Sequence, residues 1–91
     1  MALALVINMD YPIDYETYST EEIIVIVEFL SMLEQYASNH ATVDKQTLLN
    51  KYERYREILN NLSEEKRIDR AFSQTTNIPI YKTMQSLIKS S

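Results

Sequence analysis

Glycine is missing from all 91 positions of this chain, and no other feature of the sequence narrows its choice of folds so far. A residue without Cβ enters left-handed backbone at little cost and lets a ligand approach the main chain closely. Loops of the GxxxxGKS and GxGxxG kinds, which cradle phosphates through that property, are therefore excluded. So is the Asn-Gly hairpin, the strongest short-range signal for paired strands. Helices ask less, because asparagine can take the left-handed position that closes a helix. With no internal repeat or low-complexity segment either, the fold class read from the sequence is all-α.

A chain of 91 residues makes a single domain, 1–91, and buries about 60–65% of the surface that its unfolded form exposes. Such a domain has little room for a deep catalytic cleft. Residues 1–18 read as an extended leader and residues 19–91 as a compact bundle of about four helices. Residues 1–7 (MALALVI) are apolar, but they are too short for a membrane span and lack the positive start and cleavage region of a signal peptide. Residues 1–8 are then either a short arm over apolar surface or the product of an upstream start codon. The second reading is favoured, with Met9 as the natural beginning, and no membrane partner is expected.

Pro12 pushes Tyr11 toward extended geometry, so the stretch from Tyr11 to Tyr18 is an irregular lead-in. Ser19 and Glu22 form a capping box, flanked by Tyr18 and Ile23 at the staple positions. The run Ile23-Ile24-Val25-Ile26-Val27 alone would suit a buried strand, yet its continuation is helical. Glu21, Glu28, Ser31, Gln35 and Ser38 fall on one polar stripe. Val27, Leu30, Leu33 and Ala37 make one apolar row, and Val25, Phe29, Met32 and Tyr36 a second. A helix so broadly apolar is the central member of a bundle or buries a second side in a partner. Asn39 is expected at its left-handed end.

Asp44 caps a second helix that runs to about Ile58 or Leu59, and Leu48, Tyr52, Tyr55, Leu59 and Leu62 follow the steps of a helix-packing seam. Asn61 with Glu64, or Ser63 alone, caps a third and shorter helix with apolar positions Ile68, Ala71 and Phe72. Asn77 again takes the slot of a helix-closing glycine. Pro79 starts a last helix carrying Ile80, Tyr81, Met84, Leu87 and Ile88.

Chemistry finds little support. No cysteine is present, which excludes disulfides, thiolate metal sites and cysteine nucleophiles. Glu21-Glu22 and Glu64-Glu65 are neighbours on helices, about 100° apart, and do not converge on one atom as an acid and base must. Both pairs occupy first helical turns, where negative charge favours the macrodipole. His40 is the single histidine and has no second ligand at metal spacing. No catalytic, cofactor-binding or metal residue is assigned, and the chain is expected not to be an enzyme.

Charge is more informative in its distribution than in its total of −4. Residues 1–43 hold seven acids and no base, for −7, whereas residues 44–91 hold nine bases against six acids, for +3. The simplest account is an acidic first helix packed beside basic later ones. An acidic partner or nucleic acid on a basic face is the functional account.

Short boxes in order along the chain resemble the YktA-like family of small bacterial proteins from low-GC Gram-positive species. They are Tyr11-Pro12-Ile13-Asp14, Ser19-Thr20-Glu21-Glu22-Ile23-Ile24, Tyr52 and Tyr55-Arg56-Glu57-Ile58, Glu64-Glu65-Lys66, Phe72 and Tyr81. Tyr18 stands where the family has tryptophan, and Asn77 where it has glycine. The resemblance implies a compact, all-helical cytoplasmic domain and supplies no activity and no catalytic residue. Together these readings favour a small adaptor or protein-interaction domain, with an unidentified protein or a second copy of itself as partner. Tyr11, Pro12, Asp14, Lys66, Arg67 and Arg70 form the candidate partner surface. The alternative is a nucleic-acid-binding module in which Lys66, Arg67, Arg70, Gln74, Lys82, Gln85 and Lys89 line one face, against which the net negative charge stands.

Overall fold

Ser19 Oγ accepts from Glu22 N at 3.1 Å and Glu22 Oε1 accepts from Ser19 N at 3.0 Å. The expected capping box thus opens α1 (Thr20–Ser38) in the computed structural model, which describes residues 11–90. The reading of residues 1–8 lies outside the described residues. Among the described residues three further helices follow, α2 (Lys45–Leu59), α3 (Leu62–Thr76) and α4 (Ile80–Lys89), with one 3-10 turn at His40–Thr42. The described residues contain no strand, and the all-α class with about four helices and a leader is the observed one.

Helix α1 buries Ile26, Phe29, Leu30, Leu33 and Tyr36. It packs chiefly along α2, where Phe29 meets the rings of Tyr52 and Tyr55 at centroid distances of 5.5 and 4.7 Å. Because its cover is one-sided, the apolar girth is narrower than the sequence suggests. Ala37 is exposed, Val25, Val27 and Met32 are half-buried, and Ile26, in neither expected row, is fully enclosed. Ile24 is 50% exposed because it falls on the polar stripe, one turn from both Glu21 and Glu28.

Asn39 closes α1 as expected but not in the left-handed conformation. Its φ of −155° is extended, not left-handed, because its side chain accepts from Ala41 N at 3.0 Å and starts the 3-10 turn. The left-handed asparagines are Asn60 (φ 45°) and Asn77 (φ 65°), closing α2 and α3. Asn77→Gly should therefore raise stability by about 0.5–1 kcal/mol, since glycine relieves the Cβ contact. Asn39→Gly should lower it by removing a cap, and urea unfolding of the two variants checks the opposite signs.

Asp44 Oδ2 caps α2 by accepting from Thr47 N at 3.0 Å, and Asn61 Oδ1 caps α3 by accepting from Glu64 N at 3.1 Å. Helix α3 is as long as α2, 15 residues each, and not shorter as expected. Leu62 does not join the α2 seam either. It starts α3 and is 62% exposed, because the turn at Asn60-Asn61 redirects the chain before the seam would reach it. In α4, Ile80, Met84 and Leu87 are buried, while Tyr81 and Ile88 lie one position round and are exposed. The leader is part of the core. Tyr11 and Ile13 are buried, and the Tyr11 ring stacks on Phe72 at 6.3 Å. Among the described residues no helix is long and apolar enough to cross a membrane.

Candidate functional site

Of the expected surface residues, the structure brings the leader and α3 together and buries Tyr11, while Asp14 and Arg67 stay exposed but engaged in hydrogen bonds. Arg67 donates from Nε and Nη2 to Glu64 at 2.9 and 2.8 Å, and its Nη2 also donates to the Pro12 carbonyl at 3.4 Å. Tyr18 Oη donates to Glu64 Oε2 at 2.9 Å. Asp14 accepts from Glu16 N and Thr17 Oγ1, hydrogen bonds that hold its carboxyl below the usual range and close a local turn. Tyr11, being buried, is no surface residue in the monomer. This group is a latch that fastens the leader to the bundle. Lys66 and Arg70 remain exposed and have no ion-pair partner among the described residues.

The latch titrates at both ends of the pH scale. The hydrogen bond from Arg67 holds Glu64 below its ordinary 4.5, helped by that from Tyr18. Burial, followed by the hydrogen bond to Glu64, pushes Tyr18 from its ordinary 10.0 up to about 12. A depressed acid contributes stability that is present above its unfolded value and lost as the pH falls through the folded one. A raised phenol contributes stability that is present below its unfolded value and lost as the pH rises through the folded one. Stability should thus decline below about pH 4.5 and between pH 10 and about 12. Tyr18→Phe should make the alkaline decline shallower, leaving the part due to Tyr15, Tyr52 and Tyr55, which burial raises too. Urea midpoints taken across that range decide it, and an unchanged alkaline limb would count against the latch.

A second feature was not among the sequence expectations. Helices α2, α3 and α4 enclose a groove of about 440 Å³, in the size range of protein ligand pockets. Its floor is Tyr52, Tyr55 and Ile80, all buried, and its rim carries Leu62, Lys66 and Tyr81. Tyr81 is 57% exposed. Arg56 lies 3.3 Å from Glu65 and 5.7 Å above the centre of the Tyr52 ring, where cation and ring attract. Asp69 anchors one end: its two carboxylate oxygens accept from Ile80 N at 2.9 Å and Tyr81 N at 3.1 Å. Proline at position 79 offers no side-chain oxygen to cap α4, so a residue of α3 does so instead.

Tyr55 is 1% exposed, and its hydroxyl is buried with no hydrogen-bond partner among the described residues. Burial pushes its pKa far up, and the next influences are the carboxylates of Glu65 and Asp69, both on the groove. A buried orphan donor costs about 1–3 kcal/mol in desolvation. Tyr55→Phe is therefore expected to stabilise the domain by about 1–2 kcal/mol, read as a higher urea midpoint at constant m.

The groove escaped the sequence reading because it is assembled from three helices. One signal was available: Leu62 and Tyr81 are large apolar residues outside the stripes Ile68-Phe72 and Ile80-Met84-Leu87. Ion pairing between the two halves of the chain is also sparser than expected. Lys51 meets Glu28 at 3.2 Å, whereas Arg54–Glu57, Arg56–Glu65 and Arg67–Glu64 pair within the basic half. His40 stacks on Tyr36 at 4.2 Å, and no group of three potential metal ligands occurs among the described residues.

Comparison with known proteins gives one family. The model described as an uncharacterised protein family, UPF0223, matches residues 8–91. A UPF0223 protein of Bacillus cytotoxicus is 35% identical over 75 residues, 82% of this chain and 81% of that protein. Similar proteins occur in Staphylococcus haemolyticus (34% identical, 85% of this chain and 82% of the relative) and Streptococcus uberis (35%, with 86% and 82% covered). No solved structure matches at a significant level.

Proposed function

For this chain, which belongs to the UPF0223 family that the YktA-like resemblance pointed to, we propose a small cytoplasmic protein-interaction domain with no chemistry of its own, docking through the groove between α2, α3 and α4. The observation that carries this reading is the pairing of Leu62, 62% exposed, with Tyr81, 57% exposed, on the rim of a groove floored by tyrosines. Aromatic anchors around an apolar centre with charges at the edge are the composition of protein interfaces. The carboxylates support a role without catalysis, since each is already engaged: Glu64 by Arg67 and Tyr18, Glu65 by Arg56, and Asp69 by the start of α4. Arg67, central to the alternative basic face, is held by Glu64 and Pro12, which favours a protein over a phosphate backbone.

A photo-crosslinking residue at Tyr81 in living cells tests the reading, with the same probe at the exposed Glu53 as control. A discrete protein adduct from Tyr81, absent from Glu53 and lost on Leu62→Asp, is expected. No adduct, or equal labelling at both positions, would refute it.

A further inference from the structure

The Tyr55 hydroxyl is a donor that the fold leaves unused. It is buried and bonded to nothing among the described residues, and burial holds its pKa so far up that it keeps its proton. The ring lies on the groove floor with its centroid 4.7 Å from that of Phe29, a contact that keeps the hydroxyl from swinging out to water. After burial, the groups that influence it most are the carboxylates of Glu65 and Asp69, which sets it toward α3 and the groove. Neither carboxylate accepts from it. Glu65 pairs with Arg56 at 3.3 Å, and Asp69 holds the amides of Ile80 and Tyr81. Buried donors in native proteins nearly always have an acceptor, so one left over on the wall of a cavity marks a place for an acceptor from outside.

The surroundings of Tyr55 also select the acceptor. A carboxylate there would stand beside the carboxylates of Glu65 and Asp69, and an ammonium has no lone pair to offer. The four charges on the groove, Arg56 and Lys66 against Glu65 and Asp69, cancel, so no net charge is asked of the occupant. An amide fits. Its carbonyl accepts from Tyr55, and its N–H donates to Glu65, which keeps lone pairs beyond those that Arg56 uses. Resting on the interaction reading above, we infer that the partner protein lays an uncharged amide, from its main chain or from an asparagine or glutamine side chain, on Tyr55 and Glu65, with an apolar group between Leu62 and Tyr81. The hydroxyl is covered in the free chain, so the rim must part to admit the amide. Leu62 and Tyr81, 62% and 57% exposed, have the solvent space to do so.

Three small probes with one phenylpropyl body and different heads separate these chemistries: phenylpropionamide, phenylpropionate and phenylpropylammonium. Each is titrated into the isotope-labelled full chain and followed by NMR. The amide should bind with a dissociation constant on the order of 1–10 mM, the range for a ligand of its size. It should shift the amide signals of Ile80 and Tyr81, which border the groove. The carboxylate and the ammonium should bind about tenfold more weakly or not at all. Tyr55→Phe should weaken the amide by about tenfold while raising the urea midpoint, opposite signs that a packing role for Tyr55 does not produce. The same substitution should cut the Tyr81 adduct in cells several-fold. Equal binding of the three heads, amide binding unchanged in Tyr55→Phe, or no amide binding at about 20 mM would each overturn the inference. Failure of the amide to bind, with the Tyr81 adduct kept in cells, removes the amide and leaves the interaction reading standing. Amide binding through Tyr55 with no protein captured at Tyr81 removes the interaction reading and replaces the partner with a free amide compound, which overturns the inference as well.

Discussion

Phe29→Ala should cost about 3–5 kcal/mol, the usual penalty for emptying a fully enclosed aromatic site. Phe29 is 0% exposed and contacts the rings of both Tyr52 and Tyr55, joining α1 to α2 at the centre of the core. A domain of this length has about 5–13 kcal/mol of stability in all. The variant should therefore lose between about a quarter and all of that stability, read as a urea midpoint at or below about three quarters of the wild-type value. Ile24→Ala, at an exposed site on the same helix, should shift it by less than about 0.5 kcal/mol. The contrast separates loss of packing from loss of helix propensity, because alanine is the better helix former at both positions. A loss below about 1 kcal/mol at Phe29 would mean that the core repacks around the gap, and would remove α1–α2 packing as the main source of stability.

Elements whose cause is local were readable in advance. The Ser19–Glu22 box, the Asp44 and Asn61 caps and the left-handed Asn77 each follow from a few adjacent residues, and each appears at the expected position. Asn39 shows where local logic ends. Asparagine serves both as a left-handed closer and as an N-cap, and which role it takes depends on whether the next residues begin another turn. Leu62 shows a second limit, since its spacing continues the α2 seam in number while the turn at Asn60 breaks it in space. The candidate surface divides in the same way. Lys66 is a groove residue, but Tyr11 and Arg67 serve the packing of the leader, because their partners Phe72 and Pro12 lie far along the chain and no spacing rule connects them. The groove depends on such long-range contacts throughout.

Asp69→Ala is expected to release the first turn of α4 and with it one wall of the groove, at a cost of about 1.5–3 kcal/mol. Asp69 satisfies two amide donors that no residue of α4 can reach, since Pro79 has no side-chain oxygen. Its negative charge also lies at the positive end of the helix dipole. Helix α4 has ten residues, too few to persist without its packing and its cap. Opening should therefore be local before it is global. Hydrogen exchange should rise first in the amides of α4, above all at Ile80 and Tyr81, while α1 and α2 keep their protection. Asp69→Asn retains one acceptor oxygen and should lose about half as much. If α4 in Asp69→Ala exchanges as slowly as in the wild type, Ile80, Met84 and Leu87 hold the helix by burial alone, and the groove is rigid without its cap. If exchange rises as expected, Tyr81 is positioned from α3, and any partner that needs it should lose affinity in Asp69→Ala even though Asp69 need never touch that partner.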